Sequence, residues 1–120
     1  MIEHRGRKSG QRFRTVIEVA GRNPESNEWI VCAGWGPKSD WYLNLRAGNL
    51  EAVWLASHRY RDATIRFLDN KEAGQVIARY EEAHPKAAKV LFRGMGVAHD
   101  GSYEGRAEMM KSLPMVAFKV

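Results

Sequence analysis

Cys32 is the only thiol in 120 residues, so the chain holds no disulfide framework and no cysteine-rich zinc site. A reducing compartment is the simplest setting, and a cytoplasmic location is expected. Long apolar runs are missing too. The longest uncharged stretch, 29–37, falls far short of the ~20 apolar residues that cross a bilayer. No stable membrane insertion is expected, and no apolar block follows the basic start Met-Ile-Glu-His-Arg-Gly-Arg-Lys, so no secretory signal is expected either. The four histidines, His4, His58, His84 and His99, show no metal-ligand spacing; no metal is expected, and surface or loop positions are expected for them. Repeats and low-complexity tracts are absent. What remains, 44% hydrophobic and 28% charged residues, describes one globular domain over 1–120, able to bury roughly two thirds of its unfolded surface without staples.

The formal charge is +5, and its placement is uneven. Arg5, Arg7, Lys8, Arg12 and Arg14 face Glu3 alone within the first 14 residues, which concentrates +4 there. Long nucleic acid is held by phosphate contacts spread over a face, so one tight cluster suits a small anion better, and no nucleic-acid partner is expected.

The hydrophobic pattern divides the chain into a strand-rich block and a helix-rich one. Ile2–Arg5 and 13–19 read as a hairpin around the turn Gly6-Arg7-Lys8-Ser9-Gly10, with Phe13, Thr15, Ile17 and Val19 alternating toward one side. A turn over 21–27 leads to an apolar strand at 28–33 and then to a Gly-Pro loop. Ser39 or Asp40 caps a short helix through Trp41, Tyr42, Asn44 and Leu45, stopped at Gly48. Strands follow at 51–56 and 59–68. Asp69 with Glu72 three residues on resembles a capping box, and Ala73, Val76, Ile77 and Tyr80 recur at helical spacing. Pro85 ends that helix or begins another. Ala88, Leu91, Phe92 and Met95, then Arg106, Ala107, Met110 and Leu113, form further helical stripes before a closing strand at 114–120. A meander with inserted helices and a last strand fits an α+β, mainly β, small barrel better than a βαβ sheet.

Two segments carry chemistry. Gly6-Arg7-Lys8-Ser9-Gly10-Gln11 places two cations, a hydroxyl and glycine-flanked amides in one turn, the ingredients of a phosphate or carboxylate clamp, though without nucleotide P-loop spacing. A surface hairpin loop is the plain alternative. Gly34-Trp35-Gly36-Pro37-Lys38-Ser39-Asp40-Trp41-Tyr42-Leu43-Asn44-Leu45 is a Gly-rich loop entering a helix N-terminus, with flat faces from Trp35 and Trp41 beside it. Trp41 and Leu45, at i and i+4, also read as the core face of that helix. Asn44 sits among aromatics and calls for a specific hydrogen-bond duty.

In this order and spacing, Gly-Arg-Lys-Ser-Gly-Gln, a strand pair, an Ala-Gly loop and Asp-Trp-Tyr-Leu-Asn-Leu-Arg-Ala resemble the deazaflavin-dependent nitroreductase and quinone reductase family, over 6–47 and more loosely to the closing strand. The resemblance implies a split β-barrel of the flavin-reductase and pyridoxamine-phosphate-oxidase kind that binds coenzyme F-420 and passes hydride to a quinone, nitro compound or activated enone. It implies that Arg7, Lys8 and Ser9 hold the phosphate and acidic tail, that Arg14, Thr15, Val16 and Ile17 run along the deazaflavin, that Cys32, Ala33, Gly34 and Trp35 cover its ring, and that Asp40, Trp41 and Asn44 complete the pocket. The alternatives are a non-catalytic F-420-binding module and an FMN-binding split barrel. Two departures stand out: the strand after the turn reads Arg14-Thr15-Val16-Ile17-Glu18 without the family's proline, and His84-Pro85-Lys86-Ala87 occupies the region of substrate-side tyrosines. His84 is therefore the candidate proton source, with Tyr80 as competitor. Cys32 is expected to be inert, Met95, Met109, Met110 and Met115 to be packing, and a homodimer is left open.

Overall fold

A computed structural model describes residues 1–33, 36–96, 99 and 101–120. In chain order the elements are β1 (Ile2–Arg5), β2 (Arg12–Thr15), β3 (Val19–Asn23), β4 (Glu28–Cys32), α1 (Asp40–Arg46), β5 (Leu50–Leu55), β6 (His58–Tyr60), β7 (Thr64–Phe67), α2 (Asn70–Ala83), α3 (Pro85–Met95), α4 (Tyr103–Met109) and β8 (Met115–Lys119). The strands form two four-stranded antiparallel sheets, ordered β2-β1-β5-β6 and β3-β4-β8-β7, with no strand pairing between them among the described residues. The fold is therefore α+β and mainly β, and it is not a closed barrel.

One core lies between the sheets. Ile2, Val53 and Leu55 from the first sheet meet Val31, Val116 and Phe118 from the second, and α1 closes the space with Trp41, Tyr42 and Leu45. A second core lies on the other face of the second sheet, where Ile30, Met115 and Ala117 pack on Ala73, Val76 and Ile77 of α2 and on Met109, Met110 and Leu113. This explains why 115–118 reads as an unbroken apolar run: β8 is covered on both faces, with Val116 and Phe118 turned to the first core and Met115 and Ala117 to the second.

Two expected strands are each divided. The 13–19 segment breaks after Thr15, and Val19 resumes in the other sheet, opposite Val31; the turn is accordingly shorter than 21–27, because β3 runs through Asn23. The 59–68 segment likewise passes from β6, paired with β5, to β7, paired with β8. Alternation survives the first corner, where Ile17 packs against the core that both sheets face, and shifts by one residue at the second, where Tyr60, Ala63 and Ile65 all pack against that core. The third helical stripe is also shorter than expected, since α4 ends at Met109 and Leu113 is buried from a turn.

Ser39 stands at the N-cap position of α1 without a side-chain cap bond, its hydroxyl donating to the Gly36 carbonyl at 3.0 Å, whereas three other helix ends follow the sequence. Asp69 accepts from the Glu72 amide at 2.8 Å, Pro85 opens α3, and Gly48 takes a positive φ of 83° just past α1. Arg66 on β7 ties the second sheet to α2 by donating to Glu28, at 2.9 and 3.0 Å, and to Glu72. These bonds hold the Glu28 carboxyl below its ordinary pKa and raise that of Arg66. No helix among the described residues is long and apolar enough to cross a membrane.

Phe118 is fully buried in the first core, so Phe118→Ala is expected to lower the unfolding free energy by about 3–5 kcal/mol. Val16 is 83% exposed at a corner, and Val16→Ser is expected to change it by less than about 0.5 kcal/mol. Urea titrations of both variants check the assignment of inside and outside.

Candidate functional site

The β1–β2 hairpin ends in the Gly6 to Gly10 turn, which is closed from within. The Gly6 amide donates to the Gln11 carbonyl at 2.8 Å, the Gly10 amide donates to the Gly6 carbonyl at 2.9 Å, and the Gln11 amide donates to Ser9 Oγ at 3.2 Å. The turn needs its glycines. A Cβ on Gly6 would lie 2.5 Å from Ser9 Oγ and 3.2 Å from the Phe13 ring, and Gly10 has a φ of 70°. The consecutive amides of Lys8 and Ser9 have no acceptor among the described residues, an arrangement of the kind that receives an anion's oxygens.

α1 places Asn44 against this turn. Its Oδ1 accepts from the Arg7 backbone amide at 3.0 Å and from Arg7 Nη1 at 2.9 Å, and the same guanidinium lies 3.4 Å from Asp40 Oδ1. Asn44 Nδ2 is 3.0 Å from His4 Nδ1, and His4 Nε2 is 2.9 Å from Thr15 Oγ1. The His4 ring stacks on Phe13 with centroids 5.7 Å apart. Only 3% of His4 is exposed, and burial lowers its pKa, opposed in part by the Asp40 charge.

These groups border one open cavity of about 630 Å³, between the inner face of the hairpin and the start of α1. Of the residues singled out in the sequence, Arg7, Lys8, Ser9, Arg14, Thr15, Asp40, Trp41 and Asn44 line it. Arg14 stands at the border only. It pairs with Glu3 across the strands, on the opposite face from His4 and Phe13, and its Nη2 is 3.4 Å from Glu3 Oε1. On that outer face Glu3 accepts from Trp54 Nε1 at 3.0 Å and from Arg59 Nε at 2.5 Å, and the Arg59 guanidinium holds the Glu3 carboxyl below its usual range.

The remaining singled-out residues are not brought to this cavity. Val16 points to solvent, Ile17 packs on the first core, and Ala33 is buried within it. Cys32 faces the second core with Sγ 3.9 Å from the Leu113 carbonyl, and burial pushes its thiol pKa up to about 12, so it is a packing group. Gly34 and Trp35 lie outside the described residues. His84 lines a different groove, of about 470 Å³, between the β3–β4 hairpin and α2, with its ring 5.4 Å from that of Tyr80. The cavity thus gains neither proton-source candidate.

The sequence reading missed His4, Phe13 and Ser39 as cavity residues. His4 was expected at the surface, yet it shares a strand face with the fully buried Ile2, so the two-residue period of β1 held the signal. His99 lies outside the helices and strands, as expected, with its Nε2 2.6 Å from Glu81 Oε1.

Known protein families, curated proteins and solved structures contain no match to this chain.

Asn44→Ala removes the acceptor, the only one among the described residues, for a part-buried amide and the donor to a buried imidazole, and is expected to cost about 2–3 kcal/mol. Because the folded state binds a proton at His4 less readily than the unfolded chain does, the unfolded state holds more protons below about pH 6.5. Stability is therefore expected to fall as pH drops through that value, and His4→Gln is expected to flatten the slope between pH 7.5 and 5.5. Urea midpoints at a series of pH values measure it; an unchanged slope would remove His4 from the account.

Proposed function

We propose that this chain is a cytoplasmic, F-420-dependent reductase with a split-barrel fold, which delivers hydride from reduced deazaflavin to a quinone, nitro or activated enone acceptor. The observation that carries the reading is the meeting of two sequence-distant segments in one cavity: the cationic turn with Lys8, Ser9 and their amides, unpaired among the described residues, and the α1 start with Trp41 and Asn44. The barrel assignment is supported by two sheets that share one core while the chain crosses between them at 16–18 and 61–63.

The residues fit a ligand with an anionic tail and a flat ring. Lys8 has no ion-pair partner among the described residues, so its ammonium is available to phosphate oxygens beside the amides of Lys8 and Ser9. Arg7 is already held by Asn44 and Asp40, so it contributes a fixed positive charge at the cavity edge. Phe13 and Trp41 supply apolar walls; Phe13 is 41% exposed, a cost that a stacked ring would relieve. The cofactor, when bound, supplies the hydride chemistry, and the protein supplies position and electrostatics without a side-chain nucleophile.

A second reading, a cofactor-binding module without turnover, is favoured by the position of His84 and Tyr80 in a different groove. An FMN-binding split barrel is the third. Titration of the protein with oxidised F-420, in parallel with FMN and read by fluorescence, is expected to show saturable binding that prefers the deazaflavin. Lys8→Ala is expected to weaken it on the order of tenfold through loss of a charge-assisted contact. Oxidation of reduced F-420 by a panel of quinones and nitro compounds then separates a reductase from a binding module. No deazaflavin binding, or a preference for FMN, contradicts the proposal.

A further inference from the structure

The hydrogen bonds beneath the cavity run in one direction, set by the donors of Arg7. The Arg7 backbone amide is a donor only, so the Asn44 side-chain atom 3.0 Å from it must be the oxygen. The guanidinium of Arg7, also a donor only, meets the same oxygen at 2.9 Å. The Asn44 nitrogen is thereby turned to His4, and an amide nitrogen only donates, so His4 Nδ1, 3.0 Å away, carries a lone pair. A neutral imidazole with a bare Nδ1 carries its proton on Nε2, and that proton points at Thr15 Oγ1 across 2.9 Å. Thr15 Oγ1 is then an acceptor within the protein and has no other hydrogen-bond partner among the described residues. Its own proton is left over, on a residue that lines the cavity.

We propose that Arg7, Asn44 and His4 form a one-way relay that fixes the Thr15 hydroxyl as a hydrogen-bond donor into the cavity, selecting a ligand with an acceptor oxygen, carbonyl or phosphate, at that point. Thr15 is the binding residue; His4 and Asn44 are positioning residues. The inference deepens the cofactor reading above and rests on it for the ligand, while the relay itself belongs to the protein alone. It gives His4 a use other than proton transfer: with only Nε2 protonated, it orients a hydroxyl and has no proton to spare. The relay also reaches back to the anion-binding turn, because the donors that set its direction belong to Arg7.

The first test needs no ligand. Long-range proton–nitrogen correlation spectra of the labelled protein at pH 7.5 are expected to show His4 with a bare Nδ1 and a protonated Nε2; a protonated Nδ1, alone or with Nε2, overturns the proposal. The second uses oxidised F-420 and its riboside lacking the phosphate and tail. Thr15→Val is expected to weaken binding about tenfold and Thr15→Ser to stay within about threefold of the native chain, a rescue that packing alone does not provide. Loss with both probes assigns a ring carbonyl as the acceptor, and loss with F-420 alone assigns the phosphate; either supports the proposal. Equal binding by the native chain and Thr15→Val overturns it. If the native chain binds neither probe, the cofactor reading falls and the nitrogen spectra alone decide the relay.

Discussion

Asn44 is 2% exposed, and its side-chain amide needs acceptors and donors where water does not reach. It finds them on two other elements, with Arg7 of the turn at its oxygen and His4 of β1 at its nitrogen. α1 has only seven residues, too few to hold a helix by itself. Its position is set by Trp41, Tyr42 and Leu45 in the core between the sheets and by this amide, which locks the helix to the hairpin. The width of the cavity follows, since the hairpin and α1 are its two walls. Loosening Asn44 would release the Arg7 guanidinium, the imidazole beneath the cavity and the turn that carries Lys8 together.

The concentrated charge of the first 14 residues is divided by the strand period. Arg5 and Arg12 turn to Glu51, and Arg14 and Arg59 turn to Glu3, all on the outer face of the first sheet. Arg7 and Lys8 are the members of that cluster whose surroundings suit a ligand at the cavity, because the hairpin reverses direction there. A cluster that looks uniform in sequence thus becomes a structural ladder on one face and a short cationic rim on the other. Exposed ion pairs of the ladder add little stability individually, whereas the rim keeps an ammonium and two amides that have no partner among the described residues.

Much of the local structure was legible because local rules govern it. The Gly6 to Gly10 turn, the Asp69 to Glu72 cap, the stop at Gly48 and the face of α1 all follow from residues a few positions apart. The corners were not legible. Ile17 continues the alternation of β2 and Ala63 that of β7, and only the change of hydrogen-bond partner reveals that the chain has moved to the other sheet. The site was half legible for the same reason. Spacing joined Arg7, Lys8 and Ser9 into one turn and Asp40, Trp41 and Asn44 into one helix, but nothing local showed that His4 lies beneath both or that His84 belongs to another groove. Cys32 and Val116 illustrate the remaining difficulty: in strands buried on both faces, composition does not say which core a side chain enters.

The central claim is that one ligand is held between the turn and α1. Addition of oxidised F-420 to the nitrogen-labelled protein, followed by backbone amide spectra, tests it most directly. The account predicts saturable shifts at Lys8, Ser9, Thr15, Trp41 and Asn44, with Arg22, Val76 and His84 of the other groove unmoved. Shifts confined to that other groove, or none at all, would contradict it.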